Sequence, residues 1–283
     1  MAPIINVSNE ILEHLKGLKV PYDLVETPKT AESQEQTAIN YQINPSDFVI
    51  LEGKSSGKDS YPDLWVCKYR LGASPAVENA GKRIDLNVSD TAQEKNNRDY
   101  IGNINREQAL RLNLTLGGKT LNIRQAKDFL ALLLSGKAFD GKGNKINKTE
   151  LSQIAEEIIG RNSYRAEWYE DYFTGRDSLT LNKNYVLEND VLVPKYSNNL
   201  TTCLMEDRTP GIDLKNWLEN STAQGFPKKN LKYGNLWYWH PRENSAVWFD
   251  AYPDYASLDC SGDPQDTGAR LGVRHVREAH AEK

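Results

Sequence analysis

The stretch from Trp248 to Val276 reads WFDAYPDYASLDCSGDPQDTGARLGVRHV. Small and apolar residues recur through it: Phe249, Ala251, Ala256, Leu258, Cys260, Ala269, Leu271, Val273 and Val276. Between them lie Asp250, Tyr252, Asp254, Tyr255, Ser257, Asp259, Ser261, Gly262, Asp263, Asp266, Gly268 and Arg270. Alternation from Tyr255 to Ser261 predicts a strand with Ala256, Leu258 and Cys260 on its buried face and Tyr255, Ser257, Asp259 and Ser261 opposite. The pattern returns from Ala269 to Val273, with Arg270 outward. SGDPQDTG, between the two, has the composition of a turn-rich loop. Asp250, Tyr252, Asp254 and Tyr255 fall on the loop before. The interleaved residues should then share one exposed face with its loops.

A solvated sheet face would account for that pattern, but two features favour binding. Tyr252 and Tyr255 sit among Asp, Ser, Gly and Arg, the mixture of rigid amphipathic rings and small adaptable polar groups found in paratopes. The set is also restricted in codon terms. Asp, Tyr, Ser, Gly and Arg all arise by changing only the adenines of an asparagine codon. Lys, Glu, Gln, Met and Trp cannot arise that way, and none occupies the interleaved positions.

Upstream, NLWYWHP reads as a strand with Trp237 and Trp239 on one face and Tyr238 on the other, one of the two faces belonging to the core. DLKNWLEN is a short helix capped by Asp213. SLTLNKNYVLENDVLVP reads as strands with turns at Asn182–Asn184 and Glu188–Asp190. KTELSQIAEEIIG places Leu151, Ile154, Ala155 and Ile158 on one helical stripe, and NIRQAKDFLALLLSG does so with Ile123, Ala126, Phe129, Leu130 and Leu133, closed by Gly136. KAFDGKGNKIN is a short hairpin. DFVILEG and DLWVCKYRL are strands joined by a polar loop. Residues 72–105, rich in Asn, Asp, Gly and Ser, read as a long loop or insertion. SNEILEHLKGL is an amphipathic helix with Ile11, Leu12, Leu15 and Leu18 on one face. Helices in the middle with short strands around them make the class α+β, with residues 1–47 as an N-terminal extension and 48–283 as the domain.

The chain has 283 residues and a net charge of −4. That length supports a sizeable core, and the acidic balance gives no global reason to bind nucleic acid. Cys67, Cys203 and Cys260 are far apart and form no C-x-x-C pair, so reduced buried thiols are expected and not a disulfide framework or zinc site. Cys260 is in phase with Ala256 and Leu258, which argues against a catalytic thiol. The N-terminus carries no signal-peptide pattern, and no stretch reaches the roughly 18 apolar residues of a membrane helix. The expected location is cytoplasmic or virion-associated. GKSSGKD, from Gly53 to Asp59, departs from a P-loop in spacing and lacks Ser or Thr after its lysine. FDGKGNKINKTE lacks the ligand positions of a calcium loop in either frame. No pair among His14, His240, His275 and His280 has metal-ligand spacing. The sequence thus points to no metal, no cofactor and no catalytic set.

The frame WFxAxxxxAxLxCxxxPxxxxAxLGVRxVR, filled by Trp248 to Arg277, resembles the variable proteins of diversity-generating retroelements, in the form found in archaea and their viruses. CLMED, IDLKNWLEN, GFPKKN, GNLWYWHPRENS, AKDFLALLLSGKAFDGKGNKI and YRAEWYEDYF match as well. The resemblance covers residues 120–277, extends weakly to the strand around Trp65, and finds no counterpart for residues 1–45 or 72–105. It implies a C-type lectin fold of the formylglycine-generating-enzyme subtype: short twisted antiparallel sheets, two main helices, and first and last strands paired, here DLWVCKY with the C-terminus. It also implies massive sequence variation within a variable region about 237–277, with the twelve interleaved residues as ligand contacts on a non-catalytic receptor. The acidic set in this copy (Asp250, Asp254, Asp259, Asp263 and Asp266) would favour a protein or cell-surface ligand with a basic patch. No nucleic-acid partner and no membrane insertion are expected, and the oligomeric state stays open. Two alternatives remain: an oxidoreductase of the formylglycine-generating type, and a calcium-dependent sugar lectin, although the sequence has no Glu-Pro-Asn-type sugar motif. On the receptor reading, truncating Tyr252 and Tyr255 should abolish binding with little change in Tm.

Overall fold

The computed structural model describes residues 41, 44–55, 57–88, 91–93, 99–161, 164–176, 178–200 and 206–279. The N-terminal amphipathic helix and Cys203 lie outside the described residues.

β1 (Phe48–Leu51) and β2 (Leu64–Arg70) pair antiparallel. α1 (Pro75–Arg83) follows, capped by the Ser74 hydroxyl, which accepts from the Val77 N–H, with proline at its first turn. β3 (Thr91–Gln93) and β4 (Asp99–Ile101) form a small hairpin. α2 (Arg106–Thr115) and α3 (Ile123–Ser135) both start with capping boxes, Asn105 with Gln108 and Asn122 with Gln125. α3 ends at Gly136 in the left-handed conformation, φ 68°. α4 (Lys148–Ile159) is capped by Asn147. Then come β5 (Arg165–Thr174), β6 (Thr180–Glu188), β7 (Val191–Asn199), β8 (Arg208–Ile212), α5 (Leu214–Glu219), β9 (Leu236–Trp239), β10 (Ala246–Ala251), β11 (Ala256–Gly262), β12 (Leu271–Gly272) and β13 (Arg274–Glu278). The class is α+β.

Two sheets organise the unit. The first has the order β1-β2-β13, so the last strand pairs with an early one, as expected. The second runs β7-β6-β5-β10-β11-β9-β8, with β12 parallel to β5. The apolar stripes of α3 and α4 and the inward residues Phe249, Ala251, Leu258 and Cys260 share the main core. Tyr238 is fully buried in it, which settles which face of the aromatic strand is core. Phe139 bridges Lys145 in the expected hairpin, and Asp213 caps α5.

Three expectations are corrected. Residues 72–105 are not a long loop. They hold α1, the β3–β4 hairpin and the start of a second core, in which Val77, Ala80, Ile101 and Ile104 meet Trp168, Leu271 and Val273. Trp168 Nε1 donates to the Ile104 carbonyl at 2.8 Å. No turn breaks the chain at Asn182–Asn184: β6 runs through, and Asn184 takes φ 55° inside it. The turn at Asn189–Asp190 is present, both residues with positive φ. Ala269 is exposed, not part of a buried alternation, because only Leu271 and Gly272 form a strand there.

Candidate functional site

β9, β10 and β11 lie side by side, and residues directly opposite share a face. Asp250 pairs with Ser257 and Trp248 with Asp259. Ser257 pairs with Trp237 and Asp259 with Trp239. The outward face of this sheet thus carries Trp248, Asp250, Ser257, Asp259, Trp237 and Trp239. Toward β5 it is roofed by the second core, where the Trp248 ring meets Trp168 edge-on at 5.1 Å.

The β10–β11 connection is a tight turn in which the Tyr252 N–H donates to the Tyr255 carbonyl at 2.6 Å. Its two tyrosines belong to a row of stacked rings. Tyr164 stacks on Tyr252 at 4.4 Å, Tyr252 on Tyr255 at 4.7 Å, and Tyr255 on Trp237 at 3.9 Å with 5° between planes. Trp239 closes the row edge-on to Trp237 at 6.3 Å. The ring faces are occupied by one another, so the row presents edges and hydroxyls. It is a stiff apolar shelf more than a set of open cation–π faces. Asp254 stands exposed at the tip of the turn, and Asp259 lies half-buried beside Trp239.

The interleaved residues divide. Tyr252, Asp254, Tyr255, Asp259 and Ser261 gather on or beside the shelf. Asp263, Asp266, Gly268 and Arg270 form a loop that reaches it from the other side: Arg270 Nη1 donates to the Tyr164 carbonyl at 3.2 Å. That loop is internally fixed. Asp263 Oδ1 accepts from the Gln265 N–H at 2.9 Å and Asp266 Oδ1 from the Gly268 N–H at 3.1 Å. The former insertion supports it from behind, since the Asn103 N–H donates to the Gly268 carbonyl and the Arg106 N–H to the Pro264 carbonyl.

Three positions expected to be exposed are not. Asp250 is 5 % and Ser257 1 % exposed, and Gly262 is buried. The alternation puts Ser257 on the correct face; Asp250, expected on the loop before, lies within β10 on that same face. Trp248 covers both: its Nε1 donates to Asp250 Oδ2 at 3.2 Å, and the Ser257 hydroxyl donates to Asp250 Oδ1. A Cβ on Gly262 would lie 2.2 Å from the Trp248 ring, so no larger residue fits without moving it. These three positions therefore build the floor and do not form contacts.

Comparison with protein-family models, with curated proteins and with solved structures returns no match to this chain.

Burial is the largest influence on the carboxyls of Asp250 in the floor and Asp259 beside the shelf. It pushes Asp250 up to about 7, against the Ser257 hydrogen bond that favours the ion. It also raises Asp259, although the Ser261 N–H and hydroxyl donate to it at 2.7 and 2.9 Å. Burial likewise raises the Cys260 thiol well above its ordinary value, so the thiol is inert. Among the described residues no cluster of three His, Cys, Asp or Glu is placed to hold a metal ion. No described helix is long and apolar enough to cross a membrane.

Asp250 gives a direct test. Its folded value, about 7, lies above the ordinary 3.8 of the unfolded chain. The folded state keeps a proton that the unfolded state has lost, so stability falls as pH rises from about 4 to about 7. Asp250→Asn removes the charge, keeps one acceptor oxygen for the Trp248 Nε1–H, and turns the other position into a donor that the Ser257 hydroxyl can accept. It should raise Tm at pH 8 relative to the parent, with the difference shrinking to nothing near pH 4. Asp171, also raised to about 7 by burial and by Glu170, contributes equally to both proteins and drops out of the comparison. An equal Tm difference at both pH values would show that Asp250 is not the titrating group.

Sequence reasoning missed Tyr164 as part of the site and left open the outward face of Trp237 and Trp239. Tryptophan is outside the codon-restricted set, and Tyr164 precedes β5 with no periodic signal around it. Only the pairing of β11 with β9 and of β10 with β5 brings these rings together.

Proposed function

We propose that the chain is a non-catalytic, ligand-binding protein that displays a diversified surface on a C-type lectin scaffold, the product of a diversity-generating retroelement. The observation that carries this reading is the separation of two sets of residues along one stretch. Phe249, Ala251, Leu258 and Cys260 are in the core, while Tyr252, Asp254, Tyr255, Asp259 and Arg270 reach solvent around one aromatic shelf. The second set projects away from the first, so its residues can change without repacking the core, although the stacked tyrosines also support one another. The pairing of β13 with β2, and the two helices α3 and α4 packed in one core, support the lectin scaffold. The buried, unreactive Cys260 disfavours an oxidase of the formylglycine-generating type.

Asp254, Asp259 and Asp266 stand beside the shelf, with Arg270 at its far end and Asp263 further along the same loop, so this copy favours a cationic protein patch. Carboxylates supply the attraction and the ring edges a rigid platform. Immobilised arginine-rich peptide should retain the protein at low salt and release it as salt rises, while a glutamate-rich peptide of equal length should not retain it. Equal retention on both would defeat the charge assignment. The retroelement origin has its own test: a near-copy of the final coding segment in the neighbouring DNA, differing at adenines, beside a reverse transcriptase gene. Its absence there would remove the diversification part of the reading.

A further inference from the structure

Arg106, the first residue of α2, is 6 % exposed. A buried guanidinium without a counter-charge is costly, and the other deeply buried cations of the fold have one. Arg70 and Arg165 face Glu157 at 4.0 and 3.1 Å, Arg274 faces Glu167 at 2.9 Å, and Lys183 faces Asp59 at 2.6 Å. Among the described residues Arg106 has no carboxylate at ion-pair distance. Its guanidinium lies over the rings of Tyr172 and Tyr185 at 5.0 and 4.6 Å, and Nη2 donates to the Glu170 carbonyl. Nε is buried with no acceptor. An unsatisfied buried donor of this kind is rare and marks the site for a closer look.

The same arginine lines a cleft of about 480 Å³ between β5, the β6–β7 hairpin and the loop that follows β11. Tyr172, Leu192, Pro194 and Pro264 give it apolar walls. Its volume suits a small organic ligand. Two acidic residues stand at its rim. Glu107 is balanced by Arg111 at 3.5 Å, and Asp190 sits at the hairpin tip, where Arg111 Nη1 donates to its carbonyl at 2.8 Å. The rim thus selects against bulky polyanions. At the floor the buried Asp171 feels the Arg106 charge, but among the described residues no carboxylate touches the guanidinium.

We propose that this cleft binds a small carboxylate with an apolar body, the carboxylate completing Arg106 and the body packing against Leu192 and Pro194. The site is separate from the aromatic shelf and independent of the function proposed above. Sodium benzoate, its neutral isostere benzamide, and inorganic phosphate are the probes. Benzoate should raise Tm saturably; benzamide and phosphate should give at most a small, unsaturable change. Arg106→Met should abolish the benzoate response. Because that variant loses a buried residue, Leu192→Trp provides the second test: it fills the cleft without touching Arg106 and should weaken benzoate at least about tenfold by calorimetry. A benzamide response equal to that of benzoate, no saturable benzoate response, or an unchanged affinity in folded Leu192→Trp would each overturn the proposal. A saturable response to phosphate matching that of benzoate would also overturn it, since the apolar body would then contribute nothing.

Discussion

Arg274→Met should lower stability by about 3–5 kcal/mol, the usual consequence of leaving one member of a buried ion pair alone. Arg274 is 1 % exposed. Nε and Nη2 donate to the two oxygens of Glu167 at 3.1 and 2.9 Å, and Nη1 donates to the Cys67 carbonyl at 2.9 Å. One side chain therefore links β13 and β2 of the small sheet to β5 of the large one. Removing it leaves the Glu167 carboxylate in the interior with no guanidinium. For a unit of this size the loss corresponds to a drop in Tm of roughly 10 °C. The double variant Arg274→Met with Glu167→Leu removes both charges together and should recover most of that loss, because two apolar groups of similar volume substitute for the pair. Thermal melts of the two single variants and the double variant give the coupling directly. If the double variant is no more stable than Arg274→Met, the cost lies in the lost carbonyl contacts and not in the stranded charge.

Arg274 also illustrates what the sequence could and could not convey. The run LGVRHV advertises a terminal strand through Leu271, Val273 and Val276, and its pairing with β2 was anticipated. Nothing in the run shows that its polar residues point inward. Yet Arg274 and His275 are both buried, His275 held down to about 3 by burial and by Arg277, its Nδ1 3.0 Å from Asn113 Oδ1. The period-2 signal works where one face is apolar and the other wet, as at Ala256, Leu258 and Cys260. It fails where a strand is covered on both faces, because buried polar residues then look like solvent positions.

Ser257 fails for that reason: its face is correct, but the depth of Trp248 above it is a tertiary fact, and Asp250, expected on a loop, is drawn into β10 beneath the same ring. α1 and α2 were missed for a related one. α1 buries Val77, Ala80 and Gly81, and α2 buries Arg106 and Asn113 beside its apolar residues. Such inward faces hold too few large apolar side chains to show a stripe. Caps carried the information that periodicity lacked: Ser74 before Pro75 marks a helix start within the segment read as a loop, and Asn105, three residues before Gln108, marks one at its end.

The shelf itself supports the second large effect. Tyr255→Ala and Trp237→Ala should each weaken binding to the arginine-rich peptide by about 2 kcal/mol or more, near thirtyfold, as expected for central aromatic anchors. Their rings meet at 3.9 Å and nearly parallel, so losing either also frees the 252–255 turn and the carboxylate of Asp254 that it carries. The row has a stability cost as well. Each stacked pair contributes about 0.5–1.5 kcal/mol beyond the area it buries, and the double change Tyr252→Ala with Tyr255→Ala removes three such pairs. A loss of about 2–4 kcal/mol follows, not the nearly unchanged Tm that exposed contact residues would show. Asp254→Asn separates the two roles. It touches no ring contact, so Tm should hold while the salt-dependent part of binding falls. Gly262→Asn is the opposite control, because its new side chain meets the Trp248 ring and should destabilise by about 1–3 kcal/mol while leaving the shelf's charges in place. If Asp254→Asn melted early, or Gly262→Asn were neutral, the division between changeable contacts and fixed floor would be drawn in the wrong place.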